Sequence, residues 1–207
     1  MNQLAKINLA AMDHFHNPYP TGFEKVDVPE GVSGDWSVSR FEVTEREGAL
    51  FNLRLIRDGQ RRRIVPVGTY TRLSHKGEGV VMSDTPAEAW EHVRLMRVAS
   101  GHVLLNGLGL GFALKALLSK SDVRSVTVIE KAADVIALVK PSIHDERVSI
   151  INADALTWRP NKGQRFDTVW HDIWTHISRD NKSQMTSLRR AYGRRCKWQS
   201  CWSEEYL

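Results

Sequence analysis

The chain has 207 residues, 42% of them hydrophobic, with seven tryptophans and a formal net charge of +5. That length builds one large domain, or one domain with a small appendage, and the apolar share is enough for a packed core. No run approaches the roughly 20 consecutive apolar residues of a membrane helix, so no membrane partner is expected.

Residues 2–16 carry Leu4, Ile7, Leu9, Met12 and Phe15 at a loosely helical spacing. They hold neither a long apolar run nor a small-residue cleavage site, so no secretory signal is expected. HNPYPTGF then breaks the pattern with two prolines and a glycine. From about residue 36 to 82 the period moves towards two. WSVSRFEV reads as a strand, and ALFNLRLI and RRRIVPVGTY read as two more, joined at Asp58-Gly59 as a hairpin. Arg61, Arg62 and Arg63 are expected to keep an exposed strand edge soluble. GEGVVMS supplies a fourth strand, completing a small antiparallel sheet.

SDTPAEAWEHVRLMRVASG reads as one helix. Thr85 and Glu88 form a T-x-x-E capping box, Pro86 takes the first helical position and Gly101 ends it. Strands and helices alternate from there: HVLLN strand, FALKALLSK helix, SVTVIE strand, AADVIALVK helix, RVSIIN strand, FDTVWHDIW strand and KSQMTSLRRAYGRRCKW as a last helix. Apolar strands alternating with helices predict a mostly parallel sheet covered on both faces, hence a doubly wound, Rossmann-like α/β fold. The expected division is residues 1–82 as an N-terminal helix and small β-sheet, and 83–207 as the Rossmann-like part. The basic stretch LRRAYGRRCK reads as a helix with a solvated face. Cys196 and Cys201 sit at a C-x4-C spacing with no second pair, so no zinc site is expected. Two cysteines without a secretory signal fit a reducing, cytoplasmic location.

The chemistry concentrates in LLNGLGLG. Gly107, Gly109 and Gly111 follow the strand ending at Asn106, where backbone amides at a helix start can meet a ligand. A dinucleotide fingerprint would need a third glycine where Phe112 stands, or Leu114 in the other register, and no P-loop is present. Glu130 ends the next strand about 20 residues on, where a carboxylate can accept hydrogen bonds from ribose hydroxyls.

With these residues in place, 102–172 resembles the cofactor-binding half of class I S-adenosylmethionine-dependent methyltransferases. LLNGLGLG is similar to their first motif, VTVIE to the second, INADAL to the third and FDTVWHDIW to the strand that reaches the reaction centre. The β-rich segment before the fold most resembles the spermidine-synthase-like branch. The resemblance implies that Gly107, Gly109 and Gly111 line the amino-acid and ribose parts of S-adenosylmethionine. It further implies that Glu130 binds the ribose, that Asp154 and Ala155 meet the adenine, and that Asp172 faces the transferring group. Asn106 stands where that family usually has an acid, and could still accept a hydrogen bond. The chain stops one helix after the fourth α/β strand, so a short sheet is expected.

Asp172 is the candidate catalytic residue, as a base or as the group that orients an amine; His176 is a weaker candidate. Trp170 and Trp174 are expected on the face of Asp172, with His171 opposite. Three readings stay open: methyl transfer to a small molecule or, given the basic charge, a nucleic acid; aminopropyl transfer to a polyamine, which needs an acidic pocket; and a binding module without catalysis. A homodimer is one way to cover the short end of the fold.

Overall fold

A computed structural model describes residues 18–204, so the helix expected over 2–16 lies outside the described residues. Strands β1 (Gly31–Ser33), β2 (Trp36–Val43), β3 (Gly68–His75) and β4 (Gly79–Ser83) form an antiparallel sheet in chain order. β2 and β3 pair along their whole length, from Trp36 opposite His75 to Val43 opposite Gly68.

Between them lies helix α1 (Glu45–Arg57), where ALFNLRLI reads as a strand by sequence. Leu55 is buried, while Leu53 and Ile56 on either side are 61% and 44% exposed, a burial pattern without strand alternation. The unbroken apolar run fits either period, and a helix satisfies its backbone without a neighbouring strand. Asp58-Gly59 is a turn, but it closes this helix. Gly59 takes a left-handed φ of +71°, and the amides of Gly59 and Gln60 donate to the carbonyls of Ile56 and Leu55. Arg61–Arg63 forms a 3-10 turn instead of a strand edge, and the Arg62 guanidinium lies 5.3 Å from the Trp90 ring.

The expected single helix over residues 83–101 is two short ones, α2 (Pro86–Glu91) and α3 (Val93–Val98). His92 separates them at φ −97° and ψ 0°, the sparsely occupied bridge region. Thr85 caps α2, its side chain accepting the Glu88 amide at 3.4 Å.

The second sheet contains β5 (Gly101–Asn106), β6 (Val123–Glu130), β7 (Val148–Asn152), β8 (Phe166–His171) and β9 (Cys196–Cys201). All pairs are parallel, in the order β7-β6-β5-β8-β9. Helices α4 (Phe112–Leu118), α5 (Ala133–Val139) and α6 (Asn181–Tyr192) lie in three of the four connections, and residues 153–165 join β7 to β8 without a helix. Val103, Leu105, Val126 and Val128 face one core with Phe112 and Leu117; Leu104, Ile129 and Val169 face the other with Leu188 and Tyr192. The chain winds from β5 to β7 on one side and returns to β8 and β9 on the other. Strand order therefore reverses between β5 and β8, opening a crevice at their carboxyl ends.

The last helix stops at Tyr192, and residues expected to continue it form β9, from Cys196 opposite Phe166 to Cys201 opposite His171. The exposed backbone of β8 needed a partner, and that tertiary demand overrides a weak helical pattern after Gly193. Both cysteines are free thiols. Among the described residues, no helix is long and apolar enough to cross a membrane.

Asp84, just after β4, ties the segment before β1 to β3. Its carboxylate is fully buried and accepts the Thr71 amide at 2.6 Å and the Val26 amide at 3.1 Å. Asp84→Ala leaves both amides unpartnered, and we expect a loss of about 2–4 kcal/mol in urea unfolding. A midpoint equal to the parent's would refute this role.

Candidate active site

The geometry at the crevice starts with Gly107. Its φ is +106°, and a Cβ there would overlap the carbonyl oxygen of Asp172. The Asp172 amide donates to the Asn106 carbonyl at 2.8 Å, extending the β5–β8 ladder past the strand ends. Only glycine permits both contacts, so the glycine brings the Asp172 carboxylate to the mouth of the loop. At Gly109 the space a side chain would need is taken by the Met82 sulfur, which also accepts the Leu110 amide at 3.1 Å. The last residues of β4 thus touch the loop.

A cavity of about 290 Å³ opens here, with Gly107, Gly109, Glu130, Asp154, Ala155 and Asp172 among its walls. Gly111 lies outside it, as the left-handed N-cap of α4 packed on Val139. Asn106 lies outside it too. Its side chain is fully buried on the other face, with Nδ2 2.7 Å from His171 Nδ1. Alternation along β5 aims it at His171 and Tyr192 in place of the loop. His171 continues to Gln199 at 3.3 Å, and burial lowers its pKa to about 4. His176 is exposed beside Thr175. Trp174 lines the cavity and donates to Gln184 at 2.7 Å, while Trp170 packs in the core against Trp198.

The acids are held differently. Glu130 accepts the Leu108 amide with one oxygen and the Ala132 amide with the other, both at 2.8 Å. This spans the glycine loop and the start of α5. Asp154 accepts the Leu156 amide and pairs with Lys131 at 3.0 Å; the amide first, then the lysine, hold its pKa below the usual carboxylate range. Asp172 goes the other way. Burial, then the charges of Glu91 and Glu130, push it up to about 7. Glu88, also in the cavity wall, rises to about 8 by burial and then by Glu91 and Asp172. His92 lines the same corner, 1% exposed, with Nε2 3.8 Å from Asp172 Oδ2.

Glu88, His92, Trp36 and Met82 are therefore site residues that pattern reading did not find. Glu88 carried one signal, the capping box, which accounts for it locally and hides its second surroundings. Trp36 and Met82 come from the antiparallel sheet, and no local pattern links them to the loop.

The chain thus has the doubly wound Rossmann-like α/β fold with a small antiparallel sheet before it. No protein-family model matches it. Over 82 residues it is 33% identical to polyamine aminopropyltransferase 1 of Streptomyces coelicolor, a match covering 35% of this chain and 15% of that enzyme. Similar solved structures are class I S-adenosylmethionine-dependent methyltransferases and a spermidine synthase. Spermidine synthase from Thermotoga maritima has a TM-score of 0.46 and 15% identity, over 82% of this chain and 54% of that one. N-methyltransferase NodS from Bradyrhizobium japonicum, in complex with S-adenosyl-L-homocysteine, has a TM-score of 0.40 and 16% identity, over 51% of this chain and 56% of that one.

A carboxyl raised to about 7 binds a proton in the folded protein that the unfolded chain has lost above about pH 4. Stability therefore falls as pH rises through that window. A quarter of the Asp172 side chain stays open to the cavity, which moderates the effect. Asp172→Asn should be more stable than the parent at pH 8 by on the order of 1 kcal/mol, the gain vanishing near pH 4. Thermal unfolding across pH checks this, and a pH-independent difference counts against the buried-acid account.

Proposed function

We propose that this chain is an S-adenosylmethionine-dependent methyltransferase whose acceptor is a small-molecule amine. The observation that carries the reading is the meeting of Glu88, Glu130, Asp154 and Asp172 in one cavity at the carboxyl ends of the parallel strands. The walls fit such a cofactor in kind. Glu130 offers carboxylate oxygens for ribose hydroxyls, Asp154 and Ala155 are wall residues that would meet an adenine, and Gly107 and Gly109 remove side chains from the loop. The cofactor supplies a sulfonium-bound methyl carbon. The protein's part is to align an amine with it, exclude water and deal with the amine's proton. Asp172 and Glu88 receive the amine. Burial first, and then the neighbouring carboxylates, raise their pKa values, and a cation placed between them relieves both costs.

A second reading, aminopropyl transfer from decarboxylated S-adenosylmethionine, has one observation in its favour. Among the described lining residues the single lysine, Lys131, is paired with Asp154, and there is no arginine. No side-chain cation is left for a methionyl carboxylate, which the decarboxylated donor lacks. The similarity to the Streptomyces aminopropyltransferase over 82 residues points the same way.

Calorimetry with S-adenosylhomocysteine should show binding, and Glu130→Ala should weaken it at least about tenfold, the loss of a charge-assisted pair of hydrogen bonds. No binding to the parent protein sinks the cofactor reading. Mass analysis of products from putrescine with either donor then separates methyl from aminopropyl transfer. Amine binding should release protons between pH 6 and 8, since a bound cation lowers the pKa of Asp172 and Glu88. Heats that do not depend on buffer ionisation argue against an amine acceptor.

A further inference from the structure

We propose that Trp202 determines acceptor specificity at this site: its indole, strung between the end of β8 and α2, is the wall on which an alkylammonium rests while Glu88 and Asp172 hold its charge. This rests on the amine-transfer reading above and narrows the acceptor to an amine borne on saturated carbon.

Trp202 follows the last strand. Its amide donates to the His171 carbonyl at 2.8 Å, carrying the β8–β9 ladder one residue past Cys201. That bond sets Trp202 beside the residue before Asp172. At the other end, the indole Nε1 donates to Glu91 Oε2 at 2.8 Å. Glu91 lies one helical turn from Glu88 on α2. The two anchors are thus the chain segments that carry the two acids, and the indole spans the gap between them. Trp202 is part-buried and lines the cavity together with Glu88 and Asp172. Its N–H is spent on Glu91, so what it offers a ligand is its carbon framework and π face.

The turn behind it is firmly tied. The Glu204 carboxylate accepts the Ser200 hydroxyl at 2.6 Å and pairs with Arg94 of α3 at 3.1 Å and Arg189 of α6 at 2.8 Å. Ser203, between Trp202 and Glu204, takes a left-handed φ of +51°, uncommon for a serine and sustained here by those contacts.

A pair of carboxylates by itself receives any cation. The indole beside them narrows the choice. Its face attracts an ammonium within about 6 Å of the ring centroid, more strongly than other aromatic side chains do. Its carbons also gain from covering methylene groups. A saturated amine meets both demands, since it is protonated near neutral pH and carries CH2 groups. An aromatic amine is neutral there and leaves the crowded carboxylates unrelieved.

The test uses the full chain saturated with S-adenosylhomocysteine, with n-butylamine, putrescine and aniline as probes. Calorimetry should show both saturated amines binding at least about fivefold tighter than aniline. Trp202→Leu should weaken n-butylamine at least about fivefold, and Trp202→Phe, which keeps a ring and loses the N–H, should fall between Leu and the parent. The Kd for S-adenosylhomocysteine should stay within about twofold in both, and urea unfolding checks that they fold. In the 15N-labelled parent the Trp202 indole signal should shift when n-butylamine is added, a readout that needs no variant. An indole signal unmoved while calorimetry shows the amine bound overturns the proposal. So does a smaller loss in Trp202→Leu, a Trp202→Phe variant as weak as Trp202→Leu, or aniline bound within the fivefold margin. A Kd for S-adenosylhomocysteine that rises in step with that of the amine makes Trp202 structural and overturns it too. If S-adenosylhomocysteine or every saturated amine fails to bind the parent, the amine-transfer reading itself fails, which is distinguishable from these outcomes.

Discussion

The site depends on a backbone contact between the ends of two strands. β5 and β8 are neighbours at the point where strand order reverses, and their ladder runs on through Asp172 and Asn106. It can do so because Gly107 has no side chain to strike the Asp172 carbonyl. Push those ends apart and Asp172 leaves the cavity, and with it the partner of His92. The glycine serves the meeting of two chain segments as much as any approach by a ligand.

Electrostatics follows from that contact. Carrying Asp172 to the crevice buries it and then sets it against acids from α2, so Glu88 and Asp172 both sit above their ordinary pKa values, by burial first and by neighbouring carboxylates second. Lys131, the basic residue on the cavity wall, is already paired with Asp154. Crowded carboxylates in a partly dry space favour any ligand that brings positive charge. An amine does so, and so does a sulfonium centre.

The antiparallel sheet completes the enclosure. Trp36 and Met82 are cavity walls, and Met82 rests on Gly109 and Leu110. Asp84, two residues further, anchors this edge by accepting amides from Val26 and Thr71. The sheet therefore shapes the site from residues far away in sequence.

Much of the parallel sheet was legible because its signals are local. Short apolar runs, glycine breaks and capped helices place β5 to β8, and the glycines with Glu130 and Asp154 mark the crevice. The same local reading failed at α1, where an apolar run fits two periods, and at β9, where an open strand edge overrode a helical pattern. Asn106 shows the limit within one strand, since alternation turns it to the far face beside His171. By itself, then, the sequence determined the alternating fold, the glycine turn and the acids at strand ends, since backbone conformation and period are properties of neighbouring residues. Only the tertiary structure decided that Glu88 and His92 join Asp172, and that Met82 fills the space at Gly109. Those contacts join residues dozens of positions apart, and no local periodicity records them.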